Sequence, residues 1–472
     1  MLNAVCSPIP IMAQSNPDSA LGSAGALHPG SPKNRSDKPN IIFIFSDQQH
    51  WKAVGFEDDF FTTPHSDAFA KDSVIFNHCY CTTPQCSPSR SSILTGAYPT
   101  KTGVLGNCDK AGDAQLDMST IGESLQKAGY HTGYFGKWHL GQKHAAHHGW
   151  DEQQGIVGGQ LLDDPVIAQK GVEFLRNRQQ SAQPFALFLA FKNPHDIYKF
   201  GHHEDPSPDL ATPLPPSWEK QDFSTLPAVQ KQFMTDDQGM VIVDQPRARW
   251  EQYRRLYREK VRLYDQCAGT VLNELKTLGL YNESLVIMTS DHGDMDTSHR
   301  LIFKGPFVYD EMVRVPLMIK PPASGSVHPG GTRSDRMVVN VDLAPTLAAY
   351  AGADHPRRDG LSLKPFLTGS GKTEDRTFVV SQYYAKQQWI NPIRMIRTRE
   401  WKYTRYLPEG EELYDLINDP HECRNLAKDT RVASVKAELS ARLDQWIREN
   451  NDPFYTQQAT PRNRAKNPAN QD

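Results

Sequence analysis

Three apolar runs along the chain have the pattern of buried β-strands. They are continuous rather than alternating, which is typical of parallel strands covered on both faces. The runs span residues 41–45, 184–191 and 285–288. Polar residues follow each run, among them Asp47, His195 and Asp291. Because open α/β sheets bind ligands beyond the carboxyl ends of their strands, these polar residues are candidate site residues.

Helical patterns lie between the predicted strands. Residues 121–129 predict a helix closed by a C-terminal glycine, and residues 250–280 predict a long amphipathic helix. Strands that alternate with helices predict an α/β fold, in which helices sandwich a large, mostly parallel sheet. The connection 198–248 is rich in Pro and has little periodicity. It is interpreted as a substrate-facing insertion, with disorder or surface decoration as the alternatives.

The pattern changes near residue 370. Short strands are predicted at 377–382, 393–397 and 401–406, and a helix at 432–449. We therefore expect a smaller C-terminal α+β subdomain that contains an antiparallel sheet. The predicted division of the chain is a disordered or targeting segment (1–37), a catalytic domain (38–370), the C-terminal subdomain (371–460) and a polar tail (461–472).

Composition argues against two classes of protein, those that bind nucleic acid and those that span a membrane. The chain of 472 residues has a formal net charge of -3 and a pI of about 6.6, so it lacks the basic footprint of a nucleic-acid-binding protein. Mean hydropathy is -0.60, and no stretch approaches the roughly 20 apolar residues that span a bilayer. These values indicate a soluble globular protein.

The N-terminal segment, residues 1–37, does not determine the cellular compartment of the protein. Residues 5–13 resemble the remnant of a signal peptide, but no Lys or Arg precedes them, and Ser7, Pro8 and Pro10 interrupt the apolar stretch. We expect a periplasmic or secreted protein, with the cytoplasm as the alternative.

Seven cysteines are scattered along the chain, which does not indicate a disulfide framework. A disulfide that involves Cys79, Cys81 or Cys108 stays open for an exported protein. Cys86 stands apart because it opens the run Cys86-Ser87-Pro88-Ser89-Arg90. On its own, this run is equally typical of a turn that leads into a helix with Pro in its first turn.

Two polar pairs indicate a metal site. Asp47-Gln48 and Asp291-His292 each follow a predicted strand, and a parallel sheet can bring them together. Oxygen-rich sets suit Ca²⁺ or Mg²⁺, and a histidine does not exclude Mn²⁺ or Zn²⁺. Taken alone, Asp291 is better interpreted as a helix N-cap, and it is the pair of matching contexts that favours a metal site.

The motifs together resemble the type I sulfatases of the alkaline-phosphatase superfamily, from about residue 40 to 426. The run at Cys86 resembles the family's C-x-P-S-R signature, and several further blocks follow in family order. These blocks are Thr63–Asp67, Gly133–Gly141, Gly149–Asp151, Asn193–His195, Ser290–Asp294, Lys304-Gly305, Val338–Thr346 and Leu413–Pro420. The resemblance implies an alkaline-phosphatase-like fold.

The resemblance also implies an unusual nucleophile. In the family a formylglycine-generating enzyme oxidises the cysteine to 3-oxoalanine (formylglycine), an aldehyde. One hydroxyl of the aldehyde hydrate attacks sulfur, and the other later helps to eject sulfate. A serine or thiolate nucleophile would instead leave a stable ester.

The resemblance assigns roles to residues of this chain. One divalent metal, with Ca²⁺ favoured over Mg²⁺ or Mn²⁺, is expected at Asp47, Gln48, Cys86, Asp291 and His292. The catalytic set is expected to comprise Cys86, Arg90, Lys137, His139, His195 and Lys304.

Each catalytic side chain has an expected task. The two lysines hold the sulfuryl oxygens, and Arg90 binds a hydrate oxygen or a metal ligand. His139 orients or deprotonates the second hydroxyl. His195 is the candidate general acid, with Lys304 as its competitor.

His299 and Arg300 are interpreted either as pocket residues or as part of an exposed loop. The cluster of His144, His147 and His148 is interpreted as a solvated loop, with a metal-binding tract as the alternative.

The predicted reaction is hydrolysis of sulfate monoesters, with carbohydrate or polysaccharide sulfates as the favoured substrates. Aromatic residues near the expected mouth would stack on sugar rings or belong to the core; they are Trp51, Trp138, Trp150, Tyr198 and Trp389. The alternatives are a phosphonate monoester or phosphodiester hydrolase, a choline or aryl sulfatase, and a non-catalytic binding protein. Many sulfatases carry two adjacent acids where this chain has Asp47-Gln48. The combination of Asp47-Gln48 with Asp291-His292 resembles that of choline sulfatases, phosphonate monoester hydrolases and several polysaccharide sulfatases, so the phosphate alternative stays open. Because Gln48 and His292 are neutral, the ligand set carries fewer negative charges than an all-acid site, which weakens the argument for calcium.

Overall fold

The computed structural model describes residues 38–108, 114–141, 148–155, 162–386 and 389–460. The predicted segments 1–37 and 461–472 lie outside the described residues, so their interpretation stays a prediction. No described helix is both long enough and apolar enough to cross a membrane.

Eight strands form the central sheet, in the order β4-β3-β5-β1-β6-β7-β2-β8. Within this sheet only β7 runs antiparallel to its neighbours. The strands are β1 (Asn40–Asp47), β2 (Val74–Tyr80), β3 (His131–Gly136), β4 (Glu152–Gln154), β5 (Phe185–Pro194), β6 (Ser284–Ser290), β7 (Leu317–Lys320) and β8 (Arg333–Val339). The three predicted apolar runs are therefore the adjacent strands β5, β1 and β6, and the mostly parallel sheet is confirmed.

Twelve α-helices are found in the described ranges. They are α1 (Pro64–Ala70), α2 (Cys86–Thr95), α3 (Pro99–Thr102), α4 (Ile121–Lys127), α5 (Asp164–Arg178), α6 (Pro216–Lys220), α7 (Ala228–Asp236), α8 (Arg247–Thr277), α9 (Asp310–Val313), α10 (Leu343–Ala351), α11 (Lys364–Thr368) and α12 (Ala433–Glu449). The predicted helices at 121–129 and 250–280 correspond to α4 and α8.

Both faces of the central sheet are covered, which explains why its strands lack alternation. Phe43 of β1 packs into a core with α2, α4 and α10, whereas Ile42 and Ile44 pack against α5 and α8 on the other face. Successive side chains of a strand point to opposite faces, so a strand buried on both faces must be apolar throughout.

A second sheet forms near the C-terminus, as predicted. Its four antiparallel strands have the order β12-β11-β10-β9, with β9 at one edge. They are β9 (Val379–Lys386), β10 (Trp389–Arg397), β11 (Trp401–Tyr406) and β12 (Glu411–Asp415). Helix α12 packs its Leu439 and Leu443 against Ile396 and Tyr403 of this sheet.

The connection 198–248 is folded rather than irregular. It contains α6 and α7 together with 3₁₀ segments at His195–His202, Phe223–Thr225 and Gln238–Val241. Phe200 and Phe233 are fully buried in a core shared with α8 and β9. These elements are therefore part of the packed structure, which excludes disorder as their interpretation.

Candidate active site

The site lies at the carboxyl ends of β1 and β6. Ser46 and Ser290 are register partners on these parallel strands, so the residues that follow, Asp47 and Asp291, meet at one edge of the sheet. Both carboxylates are fully buried. The sequence prediction that these two strand ends come together is confirmed.

Helix α2 brings Cys86 to the same edge. Cys86 is the first residue of α2 and is fully buried. Its Sγ lies 3.4 Å from Asp47 Oδ1 and 3.2 Å from His292 Nε2. The simple interpretation of the Cys86 run as a helix start is thus correct, but the helix start is also placed inside a polar site.

Arg90, one turn further along α2, orients the two carboxylates. Its Nη2 donates to Asp47 Oδ2 at 3.1 Å, and its Nε donates to Asp291 Oδ2 at 2.9 Å. A third donor, Nη1, binds the carbonyl oxygen of Lys137 at 2.6 Å. The planar guanidinium therefore holds one oxygen of each carboxylate and leaves both Oδ1 atoms turned towards Cys86 and His292.

The residues present fit a divalent cation. One ligand atom from each of Asp47, Cys86, Asp291 and His292 lies within 4.8 Å of the others, and all four residues are buried. His292 Nδ1 lies 2.8 Å from the carbonyl oxygen of Gly293, which leaves Nε2 facing the cluster. Orientation by a carbonyl partner is the usual arrangement of a metal-binding histidine. The structure thus supports a metal site at four of the five predicted positions.

Gln48 occupies a different place from the other predicted metal ligands. Its Oε1 accepts a hydrogen bond from Lys304 Nζ at 2.8 Å, and its Nε2 donates to Asp294 Oδ2 at 2.6 Å. Burial raises the pKa of Asp294 to about 6. In this arrangement Gln48 fixes the position of Lys304, and its role as a ligand stays a prediction.

Two lysines converge on Cys86. Lys304 Nζ lies 2.9 Å from Cys86 Sγ and Lys137 Nζ lies 3.5 Å from it, while Lys137 also pairs with Asp47. Burial acts to raise the pKa of the Cys86 thiol, but Lys137, Lys304 and His292 outweigh it and hold this pKa well below its usual value. The position of Sγ is therefore strongly favourable for a negative charge.

Two histidines complete the surroundings of Cys86. His139 and His195 each form a side-chain hydrogen bond with Cys86. Burial, together with the charges of Lys137 and Lys304, lowers the pKa of His195 to about 4. His195 is consequently a neutral imidazole at pH 7 in the free protein.

A cavity of about 190 Å³ adjoins this cluster, since His195 and Lys304 belong to its lining. It is lined by Pro84, Gln85, Asn107, His195, Tyr198, Gln238, Lys304, Gly305, Tyr383 and Lys386. Five polar members were not predicted, namely Gln85, Asn107, Gln238, Tyr383 and Lys386. The sequence predicted a substrate-facing insertion at 198–248, but no local pattern pointed to these five residues.

The other candidates are distributed between cavity and core. Tyr198 lines the cavity, whereas Trp138, Trp150 and Trp389 are buried, and the first two pack in the core beneath the sheet. His299 is buried and stacked on Tyr309 at 3.9 Å, and neither His299 nor Arg300 is among the cavity residues.

The six cysteines of the described ranges all have free thiols. His144 and His147 lie outside the described residues.

Fold and site together define a hydrolase of anionic esters with an alkaline-phosphatase-like architecture. The sulfatase family profile matches residues 39–353, and a profile described as the C-terminal part of N-sulphoglucosamine sulphohydrolase matches residues 298–449. The chain belongs to the sulfatase family and is a sulfuric ester hydrolase.

Individual relatives agree with this assignment. The chain is 29% identical to a Δ4,5-hexuronate-2-O-sulfatase of Bacteroides thetaiotaomicron, over 90% of this chain and 92% of the relative. It is 31% identical to a choline-sulfatase of Rhizobium meliloti, over 86% of each. A solved structure of a 2-O GAG sulfatase superposes with a TM-score of 0.80 at 27% identity, over 90% of this chain and 95% of the other.

Proposed function

We propose that this sulfatase removes sulfate from carbohydrate esters, with Cys86 matured to formylglycine and one divalent metal bound beside it. The observation that carries the proposal is the placement of Cys86 Sγ, buried among two lysines, three histidines and two carboxylates held by Arg90. Support for a carbohydrate substrate comes from the relatives named above, among which a hexuronate sulfatase and a 2-O GAG sulfatase match along nearly their whole length.

Asp47, Asp291 and His292 would hold the metal, together with the matured residue 86 and, as the family resemblance implies, Gln48. A bound divalent cation supplies Lewis-acid stabilisation of negative charge on the oxygens next to it. Ca²⁺ is the proposed ion because the two aspartates offer hard oxygen ligands, with Mg²⁺ or Mn²⁺ as the alternatives.

Formylglycine explains why so many cations surround residue 86. A hydrated aldehyde offers two hydroxyl groups on one carbon, so the sulfated residue can expel sulfate without attack by water on a stable ester. The groups that hold the Cys86 pKa low would equally favour loss of a proton from such a hydroxyl.

Lys137 and Lys304 bind the sulfuryl oxygens in this proposal. Both ammonium groups lie within 3.5 Å of Cys86 Sγ, which marks the position of the attacking atom. Fixed positive charges in a buried site stabilise charge that develops in the transition state, at a typical value of about 100- to 1000-fold in rate for one donor.

His195 serves the leaving alcohol. Its pKa is about 4 because burial and the two lysine charges oppose protonation. A bound sulfate anion offsets those lysine charges, so substrate binding raises the His195 pKa and lets this imidazole deliver a proton. His139, which also forms a side-chain hydrogen bond with residue 86, is assigned to the second hydroxyl.

Mass spectrometry and parallel kinetics test the proposal. We expect the peptide containing residue 86, from protein matured in its host, to carry the aldehyde mass. The matured enzyme should hydrolyse sugar sulfates faster than phosphate diesters, with Cys86→Ala as the blank. An unmodified thiol in active protein would refute the maturation, and faster turnover of diesters would replace the sulfatase proposal with the phosphate alternative.

The compartment is a separate part of the proposal. A polysaccharide substrate would be met outside the cytoplasm, so we place the enzyme in the periplasm or the medium. Fractionation of host cells with a sulfatase assay in each fraction tests this placement, and activity confined to the cytoplasm would contradict it.

A further inference from the structure

A series of hydrogen bonds connects Lys304 with helix α8. Lys304 Nζ donates to Gln48 Oε1 at 2.8 Å, and Gln48 Nε2 donates to Asp294 Oδ2 at 2.6 Å. The hydroxyl group of Tyr253, a residue of α8, donates to Asp294 Oδ1 at 3.0 Å. Asp294 and Tyr253 are fully buried and do not line the cavity, so neither side chain touches a bound substrate.

The neighbours of Gln48 allow only one orientation of its carboxamide. An ammonium group only donates hydrogen bonds, and a carboxylate only accepts them. The amide oxygen must therefore face Lys304, and the amide nitrogen must face Asp294. The second oxygen of Asp294 is also bound, because Oδ1 accepts a hydrogen bond from the backbone N–H of Asp296 at 2.8 Å.

Tyr253 also holds the backbone next to Lys304. Its hydroxyl oxygen accepts a hydrogen bond from the N–H of Phe303 at 2.9 Å. Phe303 has a φ of 56°, in the left-handed region that a non-glycine residue rarely adopts. One hydroxyl group therefore fixes both the backbone that carries Lys304 and the carboxylate that orients its side-chain partner.

A second tyrosine of α8 holds the backbone of Gln48 in a similar way. Gln48 also has a left-handed backbone, with a φ of 75°. The hydroxyl group of Tyr257, one helical turn after Tyr253, donates to the carbonyl oxygen of Gln48 at 2.8 Å. The Lys304–Gln48 hydrogen bond is thus supported on both sides by α8.

We propose that Asp294 and Tyr253 are positioning residues for Lys304, which keep its ammonium group directed at the reacting atom of residue 86. Lys304 Nζ lies 2.9 Å from Cys86 Sγ in this arrangement. The inference rests on the role of Lys304 in the proposed function, and it adds two residues that act only through this lysine. An amide at position 294 would have to present its nitrogen to a donor. If Gln48 rotated to accept from it, the Gln48 nitrogen would face the Lys304 ammonium, and Lys304 would lose its acceptor.

A cycle of double variants with Lys304 tests the inference. The substrate is 4-nitrophenyl sulfate, and matured enzyme is assayed in excess Ca²⁺, so that every variant has the same metal occupancy. Asp294→Asn should lower kcat by about 10- to 100-fold, the typical worth of a hydrogen bond to a charged group, and Tyr253→Phe by about 3- to 10-fold. Lys304→Met alone should lower kcat by about 100- to 1000-fold. In the Lys304→Met background either second change should cost less than about twofold, because residues that act through the same group are not additive.

Tyr281→Phe is the matched control. Tyr281 is also a buried tyrosine whose hydroxyl group donates to a carboxylate, that of Asp72 at 2.9 Å. It precedes β6, whereas Asp291 follows this strand, so it lies at the opposite edge of the sheet from the active site. This variant should leave kcat unchanged in both backgrounds.

The outcomes separate the inference from the proposed function. Losses that multiply fully with that of Lys304→Met, or an unchanged kcat in Asp294→Asn and Tyr253→Phe, would overturn the inference and leave the proposed function intact. An unchanged kcat in Lys304→Met would overturn the role of Lys304 and the inference with it. If Asp294→Asn does not fold, Tyr253→Phe decides, because its ring can keep packing against Phe200 and Phe303.

Discussion

Removal of the Arg90 guanidinium should destabilise the fold in a pH-dependent way. Arg90 is 1% exposed and makes ion pairs of 3.1 Å with Asp47 and 2.9 Å with Asp291. In Arg90→Met both buried carboxylates lose their shared partner. Breaking a buried ion pair by removal of one partner typically costs about 3–5 kcal/mol, because the remaining charge stays buried.

Protonation limits this cost. The Asp291 pKa is already raised, by burial first and by the neighbouring charge of Asp47 second. Without Arg90 one carboxyl can take up a proton. At pH 7, about three units above the usual carboxyl pKa, that proton costs roughly 4 kcal/mol, and at pH 5 it costs only about 1.5 kcal/mol. The expected loss is therefore about 3–4 kcal/mol at pH 7 and less than half of that at pH 5.

Urea unfolding followed by tryptophan fluorescence measures the difference. Both proteins should be produced without maturation, so that residue 86 is a cysteine in each, and studied in EDTA, so that no metal compensates the carboxylates. Arg176→Met removes an exposed pair with Glu274 and should change stability little, since solvent screens such pairs. A loss below about 1 kcal/mol at pH 7, or an equal loss at both pH values, would refute the argument that Arg90 compensates two buried carboxylates.

Three further results are expected. His195→Asn should lower kcat/KM for sugar sulfates by about 100-fold or more, but far less for 4-nitrophenyl sulfate, whose leaving group needs no proton; steady-state kinetics that show equal losses would contradict a role for His195 as acid. Burial lowers the pKa of His299 to about 4 from 6.5. The unfolded chain therefore binds more protons between these values, so stability should fall by roughly 3 kcal/mol as pH drops from 6.5 to 4; His299→Gln should lose less over this range in urea titrations, and a parallel loss would exclude His299 as the cause. Asp310 accepts hydrogen bonds from Arg397 and Lys402 of the C-terminal sheet; Asp310→Asn should reduce stability by about 3–5 kcal/mol, and an unchanged urea midpoint would contradict this.

The central sheet and the inner site could be predicted because their signals are local. A strand buried on both faces must be apolar throughout, and its polar end marks the sheet edge. The pairs at Asp47 and Asp291 followed directly from this pattern. Cys86 and Arg90 are four residues apart, so a helix was sufficient to place them on neighbouring turns.

Other features depended on contacts that no local pattern records. Strand β12 begins with Glu411 and Glu412, two charged residues typical of a turn, yet Glu412 is 2% exposed. Hydrogen bonds from Tyr309, Tyr406 and Tyr414 compensate its burial. Two of these tyrosines lie beside Glu412 in the C-terminal sheet, but Tyr309 is about a hundred residues away, so only the folded chain shows that the acid can lie inside.

The charge of the inner site explains why specificity must come from such distant contacts. Asp47 and Asp291 are balanced by Arg90 and Lys137, and Lys304 adds one further positive charge next to Cys86. A bound divalent metal makes the site still more positive. Sulfate monoesters and phosphate diesters both carry a single negative charge, so this field attracts both equally. Selection between substrates must therefore act on the parts of the substrate outside its charged group, and the cavity lined by Tyr198, Tyr383 and Lys386 is the space beside the site in which such parts can bind. Because these side chains come from segments almost 200 residues apart, the insertion that contains Tyr198 and the strand β9 of the C-terminal sheet shape this cavity together.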